Sequence, residues 1–201
     1  MEYRFPDLLR PFLGKLTWRK QPSSKVIYLT FDDGPVPEVT PQVLDILSAE
    51  NIKATFFCVG ENVTNNPELY AKILKIGHKT GNHTFNHLRG DIASNEEYFD
   101  NIKKAAQSIE SQLFRPPHGR ISCRQKRKLQ AEYEIVMWDI ITHDYNRSLS
   151  PETILKNVKR YTRNGSIIVF HDSIKAKNNV LSVLPQAIEF WKSEGYEFGI
   201  L

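Results

Sequence analysis

Short apolar runs along the chain alternate with segments whose apolar residues recur every three or four positions, the period of a helix with one buried face. Residues 25–30 read as a strand of β-branched and aromatic residues. Thr40-Pro41 then offers an N-cap and a first-turn proline to a helix striped by Val43, Leu44, Ile46 and Leu47. Residues 54–59 form a second apolar run, and Asn66-Pro67 opens a second helix that Gly77 closes. Residues 78–84 are a polar strand candidate, and Ser94 to Glu97 spells a capping box before a long helix through Tyr98, Ile102 and Ile109. Residues 113–115 are a short extended piece, residues 122–132 a basic helix and residues 135–138 a strand. Ser150-Pro151 caps a helix that ends at Gly165, and residues 166–170 are the most continuous apolar strand. A helix carrying Leu184, Ile188 and Trp191 leads to a last strand over 196–201, with Pro185 either kinking that helix or marking its start.

About seven strand-helix alternations predict an α/β fold with a mainly parallel sheet and right-handed crossovers, either doubly wound or closed. Asp32, Asp33, His83, Arg115, Asp139, Asp144, His171 and Asp172 fall at or just beyond the C-terminal ends of successive strands. A barrel gathers all such ends on one face, whereas an open sheet gathers only those near its switch point. A distorted or incomplete (β/α) barrel of about seven parallel strands is therefore expected, since 201 residues is short for a full one. Residues 1–24, whose apolar pattern is broken by prolines, are expected to cover one end of a single domain over 25–201.

Composition adds exclusions. A net charge of +4, from 27 basic and 23 acidic residues, is too mild to argue for a nucleic-acid partner. No apolar run is long enough to span a bilayer. The first twenty residues lack the uninterrupted apolar core of a signal peptide, so a cytoplasmic location is expected, with envelope association as the alternative. Cys58 and Cys123 sit in unrelated contexts and give no disulfide framework. The basic run 124–128 reads as a solvated helix face.

Two adjacent carboxylates, Asp32 and Asp33, where a strand ends repel each other unless a cation or a proton intervenes. His83 and His87, four residues apart, can reach one ion from a tight loop, although two surface histidines have the same spacing. With a carboxylate such as Asp33 as third ligand, the set matches a zinc site that keeps a position open for water or substrate. In Arg115-Pro116-Pro117-His118 the prolines stiffen the backbone and leave the His118 amide as the first able to donate, as an oxyanion hole requires. Arg115 could pair with and orient one of the two carboxylates. His171 could act as a general acid if a carboxylate such as Asp144 keeps it protonated.

The order Thr-Phe-Asp-Asp-Gly-Pro, His-Thr-x-x-His, Arg-Pro-Pro-x-Gly, an Asp-aromatic pair and apolar-x-His resembles the five motifs of the polysaccharide deacetylases, carbohydrate esterase family 4, which share the NodB homology domain. The similarity spans roughly residues 25–201. It implies a distorted (β/α) barrel, a divalent metal, usually zinc, and hydrolysis of acetyl groups on carbohydrates such as peptidoglycan, chitin or O-acetylated xylan. Cobalt, nickel or manganese are alternative ions. Carried over, Asp32 would be the base, Asp33, His83 and His87 the metal ligands, Arg115 the residue orienting Asp32, and His171 the acid tuned by Asp144. Thr84, Pro117, His118 and Tyr145 would shape the oxyanion and substrate side. The family usually has an aromatic residue where His118 stands and a tryptophan where Tyr145 stands, which bears on substrate preference. The competing expectations are an inactive carbohydrate-binding member, a metal-dependent amidase or imidase for small molecules, and a magnesium phosphotransferase, which would lack its Gly-rich phosphate loop here.

Overall fold

The computed structural model describes residues 3–201, so residues 1 and 2 of the expected covering segment lie outside it. Eight strands are present among these residues: β1 (Val26–Asp32), β2 (Thr55–Cys58), β3 (Lys79–Asn82), β4 (Leu113–Phe114), β5 (Glu134–Ile135), β6 (Ile140–Ile141), β7 (Ile167–His171) and β8 (Glu197–Gly199). Their order is β5-β4-β3-β2-β1-β7-β6, every pairing is parallel, and β8 joins β1 over Val26 to Tyr28. The first five strands follow chain order around the curve while β7 and β6 approach from the other side, so the barrel stays open between β5 and β6.

Strand β1 shows why the sequence folds this way. Ile27, Leu29 and Phe31 join the core beneath the helices, where Phe31 stacks on Phe56 at 5.0 Å and on Phe170 at 5.9 Å between ring centres. Tyr28 packs instead with Phe57, Val136, Ile167 and Leu201 on the barrel's inside. The two-residue period of a strand therefore sends Thr30 and Asp32 inward too. Helices α1 (Thr40–Ala49), α2 (Gly60–Asn65), α3 (Pro67–Lys75), α4 (Asn95–Ala106), α5 (Cys123–Leu129), α6 (Pro151–Tyr161) and α7 (Lys177–Ser193) make the outer layer.

Several local expectations shift. Thr40 does not cap α1: its hydroxyl accepts the Val36 amide at 2.7 Å and donates to Asp172 at 2.6 Å, because the chain before α1 turns back toward β7. The reciprocal capping box lies at Ser122 and Gln125, whereas at Ser94 only the side-chain bond to the Glu97 amide is made. Helix α7 runs through Pro185 without a break. The expected strand over 135–138 ends at Ile135, and a separate strand, β6, follows at Ile140–Ile141.

That break moves Asp139 away from the C-terminal face. It precedes β6 and so lies at the opposite end of the barrel, where Arg10 (2.7 Å), Arg163 (2.6 and 2.9 Å) and the Ser166 hydroxyl (2.7 Å) surround its buried carboxylate. The open seam beside it is filled from the N-terminus. The Thr17 amide bonds the Ile135 carbonyl at 2.9 Å, the Met137 amide bonds the Thr17 carbonyl at 2.8 Å, and Lys20 bonds Gly165 at 3.0 Å. Between β5 and β6 the Met137 amide thus finds its partner in residue 17, while the Val136 and Asp139 amides bond the Phe114 and Ile167 carbonyls at 2.8 and 2.9 Å, as buried amides must.

Candidate active site

At the C-terminal ends of the strands a cavity of about 390 Å³ is lined by Asp32, Asp33, His83, His87, His118, Tyr145 and His171, together with Phe5, Trp138, Ile141, His143, Ser173 and Lys175. Asp32 ends β1 and points inward. Arg115, fully buried after β4, donates to Asp32 Oδ1 at 2.6 Å and to the Thr30 hydroxyl at 2.8 Å from the same Nη1. Its other nitrogens meet the carbonyls of Val136 (3.2 Å) and Met137 (2.9 Å), and its plane lies 4.0 Å from the centre of the Phe57 ring. This buried guanidinium is fixed by four acceptors and one aromatic face, leaving Oδ2 of Asp32 uncommitted to it.

The chain then turns sharply. Asp33 adopts φ 84°, and Gly34 follows with its amide 3.0 Å from Asp172 Oδ1. A Cβ on residue 34 would lie 2.0 Å from Asp172 Oδ2, so the approach admits only glycine. Asp172 anchors this turn, and the Asn62 side chain donates to the Asp33 carbonyl at 2.7 Å. Burial, joined by the charge of Asp33, raises the Asp172 pKa to about 7 against the pull of its Thr40 and Gly34 bonds.

Asp33 Oδ1 lies 3.3 Å from His87 Nε2 and 3.9 Å from His83 Nε2, and one ligand atom from each residue falls within 4.8 Å of the others. His83 Nδ1 is 2.7 Å from the Arg115 carbonyl, which requires the proton on Nδ1 and leaves the Nε2 lone pair facing Asp33. Burial, reinforced by the neighbouring His87, holds the His83 pKa well below the ordinary histidine range, so the ring is a neutral donor. The left-handed φ values of Thr84 (65°) and His87 (59°) bend the loop that brings the two rings to one place.

Thr84 and Pro117 do not line the cavity. Thr84 is fully buried and its hydroxyl accepts the Leu88 amide at 2.9 Å, holding the His83–His87 loop; Pro117 is buried in the turn over Pro117–Gly119. That turn gives His118 a φ of 57° and sets its ring 4.8 Å from that of His87. Across the cavity, Asp144 meets His171 Nδ1 at 2.7 Å, and Tyr145 stands edge-on to the His171 ring at 4.8 Å with its hydroxyl 2.9 Å from His143 Nδ1. Phe5, Trp138, Ser173 and Lys175 were not foreseeable as lining residues, since only the curl of the sheet brings them there; Asp172 had the signal of its place beside His171.

The profile of the polysaccharide deacetylase family matches residues 19–138. A peptidoglycan-N-acetylglucosamine deacetylase of Bacillus cereus is 36% identical over 194 residues, covering 92% of this chain and 90% of that protein. The peptidoglycan-N-acetylmuramic acid deacetylase PdaC of Bacillus subtilis is 34% identical over 75% of this chain, which spans 33% of PdaC. Among solved structures, a peptidoglycan N-acetylglucosamine deacetylase in complex with 4-naphthalen-1-yl-N-oxidanyl-benzamide superposes with a TM-score of 0.90 at 30% identity, over 98% of this chain and 95% of that one. A family pseudoenzyme from Bacillus anthracis superposes at 0.80 with 26% identity over 92% of this chain and 66% of its own. The motifs, the incomplete barrel and these likenesses together make the chain a member of the polysaccharide deacetylase family, carbohydrate esterase family 4.

Proposed function

We propose that the protein is a metal-dependent hydrolase that removes acetyl groups from N-acetylated sugars of a glycan, with peptidoglycan the substrate class its relatives' names favour. The observation that carries this reading is the meeting of Asp33, His83 and His87 on one side of a cavity whose opposite wall holds the Asp144–His171 pair. The ligand set fits a divalent ion: two imidazoles and one carboxylate within reach of one another, with the His83 tautomer already fixed by Arg115. Zinc suits that donor set, with cobalt, nickel and manganese as alternatives. Bound there, the ion would supply Lewis acidity that polarises the acetyl carbonyl and makes water a better nucleophile at neutral pH.

The remaining work falls to side chains of this chain. Asp32, oriented through Oδ1 by Arg115, takes the proton of the attacking water on Oδ2. The His118 amide, presented by the rigid Pro116-Pro117 turn, donates to the oxygen that gains charge as the carbonyl carbon becomes tetrahedral. His171 keeps Nδ1 on Asp144 and gives the Nε2 proton to the sugar nitrogen as the C–N bond breaks, releasing acetate and a free amine. Membership alone would not establish turnover, since the family contains a pseudoenzyme. The retained Asp32, Arg115, Asp144 and His171 favour an active protein over a binding module.

The test is acetate release from tetra-N-acetylchitotetraose and from peptidoglycan by protein stripped with a chelator and reloaded with zinc. Release by the reloaded protein alone is expected. No release from either substrate, with hydrolysis of a cyclic imide instead, would favour the small-molecule reading.

A further inference from the structure

Beside the cavity that holds the candidate catalytic groups lies a second one of about 430 Å³, lined by Arg147, Ile174, Lys175, Lys177, Asn178 and Asn179. The two are neighbours, since Lys175 lines both. Three cationic residues line the second cavity and no acidic residue does. Some cations elsewhere in the fold meet carboxylates, as Arg10 and Arg163 do at Asp139 and Lys20 does at Glu134. Among the described residues no hydrogen bond or ion pair engages the charged ends of Arg147, Lys175 and Lys177. A cavity lined by cations with no carboxylate in its wall favours the entry of an anion.

The cavity is also built to keep its place. One wall is the loop after β6, carrying Arg147; the other is the connection from β7, carrying Ile174 and Lys175, and the first residue of α7, Lys177. Asn179, almost fully buried, ties the walls together by donating to the carbonyls of Asp144 (2.9 Å) and Asn146 (3.3 Å). Asp144 is the residue that holds His171, so the cationic cavity is fixed to the candidate proton donor through one residue. Half-exposed Ile174 adds an apolar surface of the kind that a sugar ring's C–H face covers.

Building on the deacetylase reading above, we propose that this cavity is a subsite for a carboxylate-bearing sugar one position along the glycan chain from the residue being deacetylated. The Arg147 fork takes the carboxylate in two parallel N–H···O bonds, and Lys175 and Lys177 add point charges on either side. A sugar carrying an ether-linked lactic acid, as N-acetylmuramic acid does, presents such a group from its ring wherever no peptide is amide-linked to it. The preferred substrate is then an acidic glycan in which acetylated amino sugars alternate with carboxylated ones, and neutral chitin-type chains are poorer.

The experiment compares acetate release from tetra-N-acetylchitotetraose with release from an oligomer alternating N-acetylglucosamine and N-acetylmuramic acid. It uses the zinc-loaded wild type and the R147Q/K177Q double variant, whose two positions lie outside the cavity holding the candidate catalytic groups. In the wild type, kcat/KM for the acidic oligomer should exceed that for the neutral one about tenfold, through KM, as a few partly screened charge contacts allow. The advantage should shrink as salt rises from about 0.05 to about 0.5 M, because screening shortens the reach of exposed charges. In the double variant, or with the lactyl carboxylate reduced to an alcohol, the ratio should approach one. Equal kcat/KM for the two wild-type substrates at low salt, or an acidic preference that survives R147Q/K177Q, overturns the subsite while leaving the deacetylase reading intact. Absence of acetate from both oligomers overturns both.

Discussion

Asp144 holds His171 at two points: one carboxylate oxygen lies 2.7 Å from the ring Nδ1 and the other accepts the His171 backbone N–H at 2.8 Å. The side chain and the main chain of the same residue are thus fixed by one acid, which leaves only Nε2 to face the cavity. A proton donor held in this way has one tautomer and one direction of delivery.

Burial alone would strip the proton from His171, but the charge of Asp144 in contact, with those of Asp33 and Asp32 beyond, raises its pKa to about 9. On the proposed mechanism His171 donates a proton, so kcat/KM should fall on the alkaline side as it titrates above the ordinary histidine range. In Asp144→Asn the nearest charge is gone and burial dominates, so that limb should move toward or below the ordinary 6.5, with turnover at pH 8 down about 10²-fold. A pH profile of the variant that still breaks near 9 would refute the pairing. The same raised pKa stabilises the fold fully below about 6.5, and that contribution is lost as pH rises through about 9. Urea midpoints measured on either side of that window should show a smaller loss in Asp144→Asn than in the wild type.

The proposed mechanism gives the adjacent Asp32 and Asp33 different tasks. Asp33→Ala should abolish stoichiometric zinc binding, measured by elemental mass spectrometry after gel filtration, because it removes the carboxylate nearest both imidazoles. Asp32→Asn should retain the metal while kcat falls about 10²- to 10⁴-fold, the usual worth of a general base. Equal metal content in the wild type and Asp33→Ala would remove that residue from the ligand set.

Arg115→Met should destabilise the fold strongly. The substitution leaves Asp32 buried without its partner and frees the carbonyls of Val136 and Met137, a change that typically costs about 3–5 kcal/mol. Arg115→Lys should recover little of it, since one ammonium cannot reach four acceptors held in a planar fork. Denaturant unfolding of the two variants reads the difference, and a lysine variant as stable as the wild type would contradict the geometry.

Gly34→Ala tests the turn rather than the chemistry. The new methyl has no room beside Asp172, so the Asp33 side chain should shift and both zinc affinity and turnover fall. Unaltered zinc affinity in this variant would mean that the turn does not set the position of Asp33.

The gathering of the cavity's side chains was legible in the sequence wherever they travel with fixed local spacing. Asp32 and Asp33 follow an apolar strand, His83 and His87 share one loop, and His171 ends a run that can only be a buried strand. Asp139 deceived because an apolar run through Met137 and Trp138 looks like one strand, whereas the chain leaves the sheet between Ile135 and Ile140. The α2 turn over Gly60–Asn65 was invisible because six residues with a single buried valine carry no periodic signal. The side chains from distant segments that complete the cavity wall could not be inferred, because tertiary curvature brings them together.

Phe5 reaches that cavity from the N-terminal segment, stacked at 4.8 Å on Trp18 within the stretch that fills the barrel's open seam. The side chains opposite come from strand ends and the turns just after them, but this part of the rim belongs to a stretch that forms none of the eight strands. Exchanging that leading stretch would therefore reshape the mouth of the cavity while the side chains set at the strand ends keep their places.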